Sequence, residues 1–592
     1  MSDYQIFLYK AFSWLGLAWG GFALALAGFF YASLAWGATI VLGMLTIRLA
    51  IKHRVVLKLS REMIFACIVA LAISATFASF STPTVFSGRD QGAISEAAIR
   101  LSQQHAFNFS TPASDAFSEL HGKGKALNFP GFYYQSDGSL VTQFPLAYIV
   151  WLALFFSLFG ISGFSIANAV LMYFFLMSFY LSIRLFLDTK AAMPAMFFVA
   201  TSFVFMWFSK FTLSENMAAP LLWLSILSLM LFLQNQRKLH YMVFLASAIL
   251  LCFTRIEGYA ILFFSFIILF CNQDTRKYIQ EKISSRIFLP AIIFLTTFVA
   301  NLVIDINFYR EMAKALLPSV KLPQAQYLGN LKNAALPEFY TLQLFLIYGL
   351  LGFFIVSGIS IAIYAWKKEC YKLVPFFVIF PTLIYLVDSN ISSDHPWMLR
   401  RYMFSLMPLA IFYSGMLIGE WLQKKPSEKN SRAFKVSATV ITFILIAGNL
   451  PSFLNFATHI ENKDLLKQTE SLSQQFSDKD LILIDQKVTS DGWSMIAGPM
   501  SSLYGKNSVY FFNIQDLSKL DLKDFEKVYL IAPNEQVGYY HSSTLGKRLS
   551  EKGEYSLDFS KLDTARNDPL EKISFPKKMQ VSVHGKIFEI SK

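Results

Sequence analysis

Apolar runs of transmembrane length, roughly 20 residues each, recur along this chain of 592 residues. Hydrophobic residues make up 55% of the sequence and charged residues 15%, whereas soluble proteins carry about 25% charged residues. The runs predict a polytopic α-helical membrane protein with about 13 spans. Residues 12–49 have enough apolar length for two short spans that turn near 31–37. Between residues 144 and 240 the apolar runs give one membrane crossing too many or too few for the inside and outside assignments of the loops. One run there is therefore re-entrant or wrongly assigned.

Basic residues concentrate between apolar runs, in segments 52–61, 276–286, 367–372 and 424–435. Under the positive-inside rule these segments are cytoplasmic, so the net charge of +13 reflects topology and not nucleic-acid binding. The loop at 81–143 carries nearly balanced charge and is therefore predicted to lie outside. We expect the protein in the inner (plasma) membrane, with membrane lipids around it.

The external loop has structure of its own in the sequence. Residues 92–105 and 112–121 place apolar side chains at helical spacing, which is typical of helices lying on a membrane surface. The pair Asp137-Gly138, flanked by strand-forming residues, predicts a tight hairpin.

A change in composition near residue 455 divides the chain into two predicted domains. Residues 1–455 form the transmembrane domain, and residues 456–592 are polar with short strand-like runs. These runs lie at 481–485, 509–512, 528–532, 580–583 and 587–590. They predict a small α/β domain, which is external because the last span leaves a basic cytoplasmic loop.

Charged residues at membrane depth are costly and usually face a cavity or a site. Four places in this sequence have them. They are Arg89 and Asp90 at the head of the external loop, Lys210 and Glu215 within 209–216, Arg255 and Glu257 within 254–258, and His395, Arg400, Arg401 and Tyr402 within 394–402.

These residue types suit the transfer of a sugar from a lipid phosphate. A departing phosphate needs cations, and the planar fork of arginine binds two phosphate oxygens at once, which Arg255, Arg400 or Arg401 could do. A hydroxyl nucleophile needs a carboxylate to accept its proton, a role that we assign to Asp90. Glu96 and Glu215 are the alternative carboxylates.

Several of these residues also have simpler explanations. Asp90 fits a structural loop carboxylate, and Lys210 fits a side chain that extends to lipid headgroups. Glu215 fits a charge at a helix N-terminus, and Arg255 with Glu257 fits an interfacial ion pair that caps a hairpin.

The late polar segment is equally open to more than one interpretation. His395, before Pro396, fits a loop cap, a proton shuttle or a metal ligand. Arg400 and Arg401 are adjacent and point in different directions, so we expect at most one to face the site. The other then contacts lipid headgroups.

Over roughly residues 63–450 the chain resembles the GT-C glycosyltransferases, in particular bacterial relatives of protein O-mannosyltransferases and of the aminoarabinose transferase that modifies lipid A. The resemblance rests on the order of five motifs: Arg89-Asp90-Gln91-Gly92, Gln143-Phe144-Pro145, Ser214-Glu215, Thr254-Arg255 with Gly258, and Arg401-Tyr402 with Pro408.

The resemblance implies a GT-C fold, a polyprenyl-phosphate sugar donor and Asp90 as general base. It also implies that the polar residues bind substrate: Arg89, Glu96, Lys210, Glu215, Arg255, Glu257, His395, Arg400, Arg401 and Tyr402. Two features depart from the family pattern. Two short spans precede the acidic loop, and Gln91 follows Asp90 where many relatives have a second acidic residue. A divalent metal is therefore possible but not predicted, and no other cofactor is expected.

Two other functions compete with this one. A flippase or transporter of lipid-linked oligosaccharides requires charges in mid-helix and repeated halves, and the sequence shows neither. An envelope polysaccharide polymerase or ligase would use the segment His395–Arg401 without Asp90. The acceptor, whether glycan, lipid or protein, is not identified by these residues.

Overall fold

The computed structural model is mostly helical and carries two β-sheets, one of three strands and one of five. It describes residues 3–52, 59–82, 84–86, 90–279, 281, 288–316, 339–387, 395–427, 430–490, 492, 494–563 and 573–591. Arg89 and Asp394, both singled out in the sequence, lie outside the described residues.

Three helices precede the external loop, and they are α1 Asp3–Leu26, α2 Ala32–Lys52 and α3 Arg61–Ser79. The turn between α1 and α2 falls at residues 27–31, earlier than the predicted 31–37. Gly28 explains the difference, because its left-handed φ of +72° ends α1. Ser60 caps α3 by accepting a hydrogen bond from the Met63 N–H at 3.1 Å.

The loop folds into two helices and a small sheet, namely α4 Asp90–Gln104, α5 Pro112–His121, β1 Gly124–Lys125, β2 Phe132–Tyr134 and β3 Leu140–Thr142. Both helices and the β2–β3 hairpin lie where the sequence predicts them. Gly131 fits the hairpin against α4. At its φ of +94° a Cβ would stand 2.2 Å from the Ala93 Cβ, so only glycine permits this approach.

Eight helices follow: α6 Leu146–Phe159, α7 Ser162–Arg184, α8 Thr189–Thr201, α9 Phe203–Phe208, α10 Glu215–Asn235, α11 Lys238–Cys252, α12 Glu257–Cys271 and α13 Gln273–Tyr278. The apolar run 191–208 of the sequence forms parts of two helices and not one, because Ser202 is extended and interrupts it. The polar breaks before α10 and α12 each place an acidic residue at a helix N-terminus, where the helix dipole favours negative charge.

The remaining helices of this region are α14 Phe288–Ile304, α15 Ile306–Leu316, α16 Tyr340–Ile347, α17 Leu351–Trp366, α18 Val374–Ile379, α19 Ile384–Val387, α20 Leu406–Leu422 and α21 Ser431–Phe456. A 3₁₀ turn at Trp397–Tyr402 precedes α20. The axes of α16 and α17 are bent by 102° at a short break that contains Gly349.

Within the described residues, four helices are long and apolar enough to cross a membrane: α3, α7, α10 and α21. The bent pair α16–α17 makes a fifth if it counts as one span. Shorter apolar helices of 10–17 residues accompany them. The predicted membrane-protein character is therefore present, whereas the predicted number of about 13 spans is not confirmed.

The C-terminal region is an α/β domain, as predicted. Its elements are α22 Leu465–Ser473, β4 Leu481–Asp485, α23 Ala497–Ser502, β5 Asn507–Phe511, α24 Ile514–Leu517, β6 Val528–Pro533, α25 Asn534–Ser542, β7 Leu549–Leu562 and β8 Lys578–Ile590. The strand order is β5-β4-β6-β8-β7, with β4 parallel to both neighbours and β8 antiparallel to both of its own.

The two strands predicted at 580–583 and 587–590 are halves of the single strand β8. Its long partner β7 was not predicted, although Tyr555, Leu557 and Phe559 are buried in alternation with exposed neighbours, which is a strand pattern.

The C-terminal domain packs against the loop helices. Arg100 Nη2 on α4 donates to Ser501 Oγ at 2.6 Å, and Asn128 Nδ2 donates to the Tyr510 carbonyl at 2.8 Å. The loop and this domain therefore lie on the same side of the helical region.

Candidate active site

Asp90 is the first residue of α4, and its side chain is 41% exposed. Thr212 anchors this end of the helix: its Oγ1 donates to the Gln91 carbonyl at 2.9 Å and lies 2.7 Å from Ser95 Oγ. Thr212 belongs to the polar break at 209–216. This break therefore holds the start of α4, and with it the backbone that carries the Asp90 carboxylate.

Arg400 connects Asp90 to a second carboxylate. Its Nη2 lies 2.6 Å from Asp90 Oδ2, and its Nε lies 3.9 Å from Glu215 Oε1. Arg255 contacts the same Glu215 oxygen through Nη1 at 2.7 Å. Glu257 occupies the other edge of Arg255, with Nη2–Oε1 at 2.7 Å and Nε–Oε2 at 3.2 Å. We call this row, Asp90–Arg400–Glu215–Arg255–Glu257, the ion-pair chain.

The ion-pair chain has an exposed end and a buried end. The Arg400 side chain is 26% exposed, whereas Glu215 is 4% and Glu257 12% exposed. A molecule that arrives from solvent therefore meets Asp90 and Arg400 first.

The guanidinium N–H groups of Arg255 are occupied by other groups of the protein. Nη1 also donates to Ser214 Oγ at 3.3 Å, and the guanidinium lies 4.8 Å from the centre of the Phe404 ring. With Nε and Nη2 on Glu257, the edge that would bind a phosphate bidentately is already occupied. Arg400 is less committed, because 3.9 Å to Glu215 is too long for a hydrogen bond.

Two tyrosines support the buried end. The Tyr385 hydroxyl donates to Glu257 Oε1, and the Tyr402 hydroxyl donates to the Tyr385 carbonyl at 3.1 Å. Tyr402, predicted to bind substrate, is thus placed here behind Tyr385, where it fixes a partner of Glu257.

The two arginines of the chain remain charged despite being desolvated. Desolvation opposes the charge of Arg400, but the carboxylates of Asp90 and Glu215 raise its pKa. Desolvation also opposes the charge of Arg255, and Glu215 and Glu257 raise its pKa well above the usual value. Three carboxylates share two guanidinium groups, so an incoming anion must displace one of these carboxylates to be neutralised.

Arg401, unlike Arg400, packs on an aromatic ring of the protein. Its guanidinium lies 5.4 Å from the centre of the Tyr385 ring, in cation–π geometry. Of the two neighbours, Arg400 is thus the one that enters the ion-pair chain.

Glu96 belongs to a different environment. It is buried and lies 3.5 Å from Arg100 Nη2, the group that also bonds Ser501 of the C-terminal domain. Burial raises the pKa of Glu96, and Arg100 opposes this increase. The structure therefore places Glu96 at the contact between α4 and the C-terminal domain.

Lys210 is also placed elsewhere. Its Nζ donates to three backbone carbonyls at the end of α21, those of Phe456, Ala457 and His459, at 3.0, 2.7 and 2.9 Å. Burial lowers the pKa of Lys210 to about 7, and Glu461 opposes this decrease. Instead of extending to lipid headgroups, Lys210 joins the helical region to the C-terminal domain.

His395 is buried, and its Nδ1 lies 3.2 Å from the Tyr348 hydroxyl. The Tyr348 ring in turn lies 5.3 Å from Phe575 of the C-terminal domain. His395 is therefore placed beside the bend between α16 and α17. Among the described residues, no group of three or more His, Cys, Asp and Glu side chains is arranged to hold a metal ion.

Sequence reasoning missed three contributors to this region. Thr212 lay inside a polar segment that was singled out, so its hydroxyl could have been considered. Tyr385 lay at the end of an apolar run, where nothing distinguished it from a residue facing lipid. Asp305, which is buried where α14 ends, directly follows another apolar run, and nothing in the sequence distinguished it from an exposed residue.

No protein-family model matches the sequence, and no curated protein matches it. Two crystal structures of ArnT from Cupriavidus metallidurans, one bound to undecaprenyl phosphate and one in the apo state, are similar to this structure. In both comparisons the identity is 11%, the match covers 88% of this chain and 97% of ArnT, and the TM-score is 0.48. ArnT is the aminoarabinose transferase named in the sequence resemblance.

Proposed function

We propose that the protein is a membrane glycosyltransferase. It transfers a sugar from a polyprenyl-phosphate donor to a hydroxyl of a glycan, lipid or protein acceptor at the outer face of the plasma membrane. The observation that carries the proposal is the contact of 2.6 Å between Asp90 and Arg400, since it pairs an accessible carboxylate with an accessible guanidinium. A base for the acceptor and a cation for the phosphate are the two groups that this reaction needs.

Arg400 is the proposed ligand of the donor phosphate. Its charge is held at the exposed end of the ion-pair chain, and its fork suits two phosphate oxygens. Arg255 is a positioning residue in this proposal, because Glu215, Glu257 and Ser214 already occupy its N–H groups. Glu215 bridges the two arginines and keeps Arg400 in place.

Donor binding and base activation are coupled in this arrangement. When the donor phosphate takes the Arg400 guanidinium, the Asp90 carboxylate exchanges that partner for the acceptor hydroxyl. The acceptor oxygen attacks the anomeric carbon and forms the new glycosidic bond. The bond from that carbon to the phosphate oxygen breaks, polyprenyl phosphate leaves with the electron pair, and Asp90 accepts the proton of the hydroxyl. Attack opposite the phosphate inverts the anomeric centre.

The proposal uses no metal ion. Glu215 and Glu257 both contact Arg255, and Asp90 contacts Arg400, so these carboxylates serve arginine in the structure. Addition of a chelator to the purified protein should leave the transfer rate unchanged. A loss of transfer that Mg²⁺ or Mn²⁺ restores would contradict this part of the proposal.

The proposed topology places the loop at 81–143 and the domain at 456–592 outside, with about 13 spans. A cysteine replacing Ser542 should react with an impermeant thiol reagent added to intact cells. One replacing Ser427, in a basic segment, should not. The opposite labelling pattern would reverse the orientation.

The direct test of the activity is a transfer assay with the purified protein. Undecaprenyl-phosphate derivatives that carry a hexose, a pentose or an amino sugar serve as donors, and glycan, lipid A and peptide preparations serve as acceptors. Release of undecaprenyl phosphate that depends on an acceptor supports the proposal. Movement of an intact lipid-linked sugar across vesicles without its cleavage would instead identify a flippase.

A further inference from the structure

A second polar group lies where α14 ends and α15 begins. Asn301, Asp305 and Asn307 are buried there, with 2%, 1% and 8% of their surfaces exposed. Both carboxylate oxygens of Asp305, Oδ1 of Asn301 and Nδ2 of Asn307 have no hydrogen-bond partner among the described residues. We call these three residues the Asp305 cluster.

Such a concentration of buried atoms without partners is unusual. Buried polar groups in folded proteins are nearly always hydrogen-bonded, since their removal from water is otherwise not compensated. The cluster offers acceptors on Asp305 and Asn301 and a donor on Asn307. A group that both donates and accepts would satisfy these atoms, and a sugar hydroxyl does both.

The Asp305 cluster is tied to the element that carries Glu257. Asn301 Nδ2 donates to the Tyr309 hydroxyl at 2.9 Å, and that hydroxyl lies 2.8 Å from the hydroxyl of Tyr259. Tyr259 follows Glu257 by two positions on α12. The Asp305 cluster is therefore linked, through the Tyr309 and Tyr259 hydroxyls, to the helix turn that carries the buried end of the ion-pair chain.

The cluster also adjoins the external loop. Burial, followed by the carboxylates of Glu311 and Asp305, raises the pKa of Tyr133 to about 12. Tyr133 lies on β2, in the hairpin that Gly131 fits against α4, and α4 begins with Asp90. The hairpin that packs against α4 and the first turn of α12 thus border the Asp305 cluster.

We infer that Asp305, Asn301 and Asn307 form a subsite for carbohydrate hydroxyl groups. The inference rests on the proposed function and adds a location at which the sugar is recognised. The hydroxyl groups belong either to the transferred sugar of the donor or to a glycan acceptor, and the chemistry of recognition is the same for both. Asp305 accepts from one hydroxyl, and Asn307 donates to a neighbouring one.

Asp305→Leu in the full-length purified protein tests the subsite. Leucine is similar in size and removes two buried oxygens that lack partners, so the melting temperature without ligand should stay the same or rise. Asp305→Asn is the matched conservative variant, since it keeps one acceptor and adds a donor. Tm is measured alone, with undecaprenyl phosphate, and with its hexose, pentose and amino-sugar derivatives.

We expect the wild type and both Asp305 variants to be stabilised by undecaprenyl phosphate, because Arg400 is intact in all of them. If the subsite binds the donor sugar, the additional Tm increase caused by the sugar is lost in Asp305→Leu, and KM for the donor rises about ten- to a hundred-fold. If it binds the acceptor, the donor response is unchanged and KM for the acceptor rises by a similar factor. Asp305→Asn should recover part of either loss.

Two results would overturn the inference. One is wild-type Tm responses and KM values for both substrates in Asp305→Leu. The other is a lower Tm without ligand while both KM values are unchanged, which means that the carboxyl serves the fold. If the wild-type protein neither binds nor transfers from any donor tested, the proposed function and the subsite both fall. If the wild type transfers sugar and Asp305→Leu equals it, only the subsite falls.

Discussion

The ion-pair chain and the Asp305 cluster are both polar and lie beside the same helix, yet they are satisfied in different ways. In the first, every carboxylate contacts an arginine of the protein. In the second, four buried polar atoms meet no partner among the described residues. A paired site responds to a ligand by exchanging partners, whereas an unpaired site gains hydrogen bonds that it lacked. Under the proposed function, the phosphate charge of the substrate is recognised at the ion-pair chain and its hydroxyl groups at the Asp305 cluster.

The largest expected effect is at the exposed end of the ion-pair chain. Asp90→Asn keeps the size of the side chain but removes the oxygen that accepts the proton. Loss of a general base typically lowers the rate by about 10²–10⁴-fold, so kcat should fall by this factor while donor binding persists. Asp137→Asn, in the exposed hairpin of the same loop, is the control and should transfer at the wild-type rate. Near-normal kcat in Asp90→Asn would falsify the role of Asp90.

The buried end should respond in stability. Arg255→Met leaves Glu215 and Glu257 without their main cation, and removal of one partner from a buried pair costs about 3–5 kcal/mol. The measurement is thermal unfolding of the purified protein. Adding Glu257→Gln to Arg255→Met should restore part of the loss, because one uncompensated charge disappears. A wild-type Tm in Arg255→Met alone would mean that the ion pairs of Arg255 contribute nothing measurable to the stability of the fold.

Arg400 and Arg401 form a matched pair for the donor site. Arg400→Lys replaces a planar fork with a point charge and should weaken the phosphate contact by about 1.5–3 kcal/mol, which is roughly ten- to a hundred-fold in KM for the donor. Arg401→Lys should change that KM little, because Arg401 lies over the Tyr385 ring and not beside Asp90. Equal effects of the two substitutions would remove the distinction that the structure draws between them.

The smallest expected effect is at the link between the two regions. Tyr259→Phe removes the hydroxyl that lies 2.8 Å from Tyr309 and should lower the stability by about 1 kcal/mol. Tyr9→Phe, at a tyrosine that is 52% exposed, is the control for the loss of a hydroxyl alone. If Tyr259→Phe matches Tyr9→Phe in Tm, the hydroxyl network does not couple the Asp305 cluster to α12.

Much of the fold could be predicted from the sequence, because the preference of a segment for the bilayer depends on the hydrophobicity of its own residues. Apolar runs give the helices, and α4, α5 and the β2–β3 hairpin follow from short-range spacing. The strand β7 could have been found from the alternation of apolar and polar residues at 555–559, but its many polar positions obscured it. The break of the run 191–208 at Ser202 depends on the conformation of a single residue, which composition does not report.

The candidate site was predictable in its residue types but not in its pairing. Asp90, Glu215, Arg255 and Arg400 were visible because charges near a membrane are costly and therefore rare. The sequence did not show that Lys210 and the Glu96–Arg100 pair serve the junction with the C-terminal domain, since the partners of Lys210 and of Arg100 in that domain lie hundreds of residues away. It gave no sign that Asp305 is buried rather than exposed in a connection.

The sequence by itself determined that this chain is a helical membrane protein with charged breaks at the ends of its helices and a polar α/β domain after them. Only the tertiary structure decided which charges meet. Arg400 rather than Arg401 contacts Asp90, and Arg255 donates from Nε and Nη2 to Glu257. The physical reason is that hydrophobicity acts on each segment alone, whereas a hydrogen bond or an ion pair requires two groups to be within about 3–4 Å. That distance is set only when separate helices pack together.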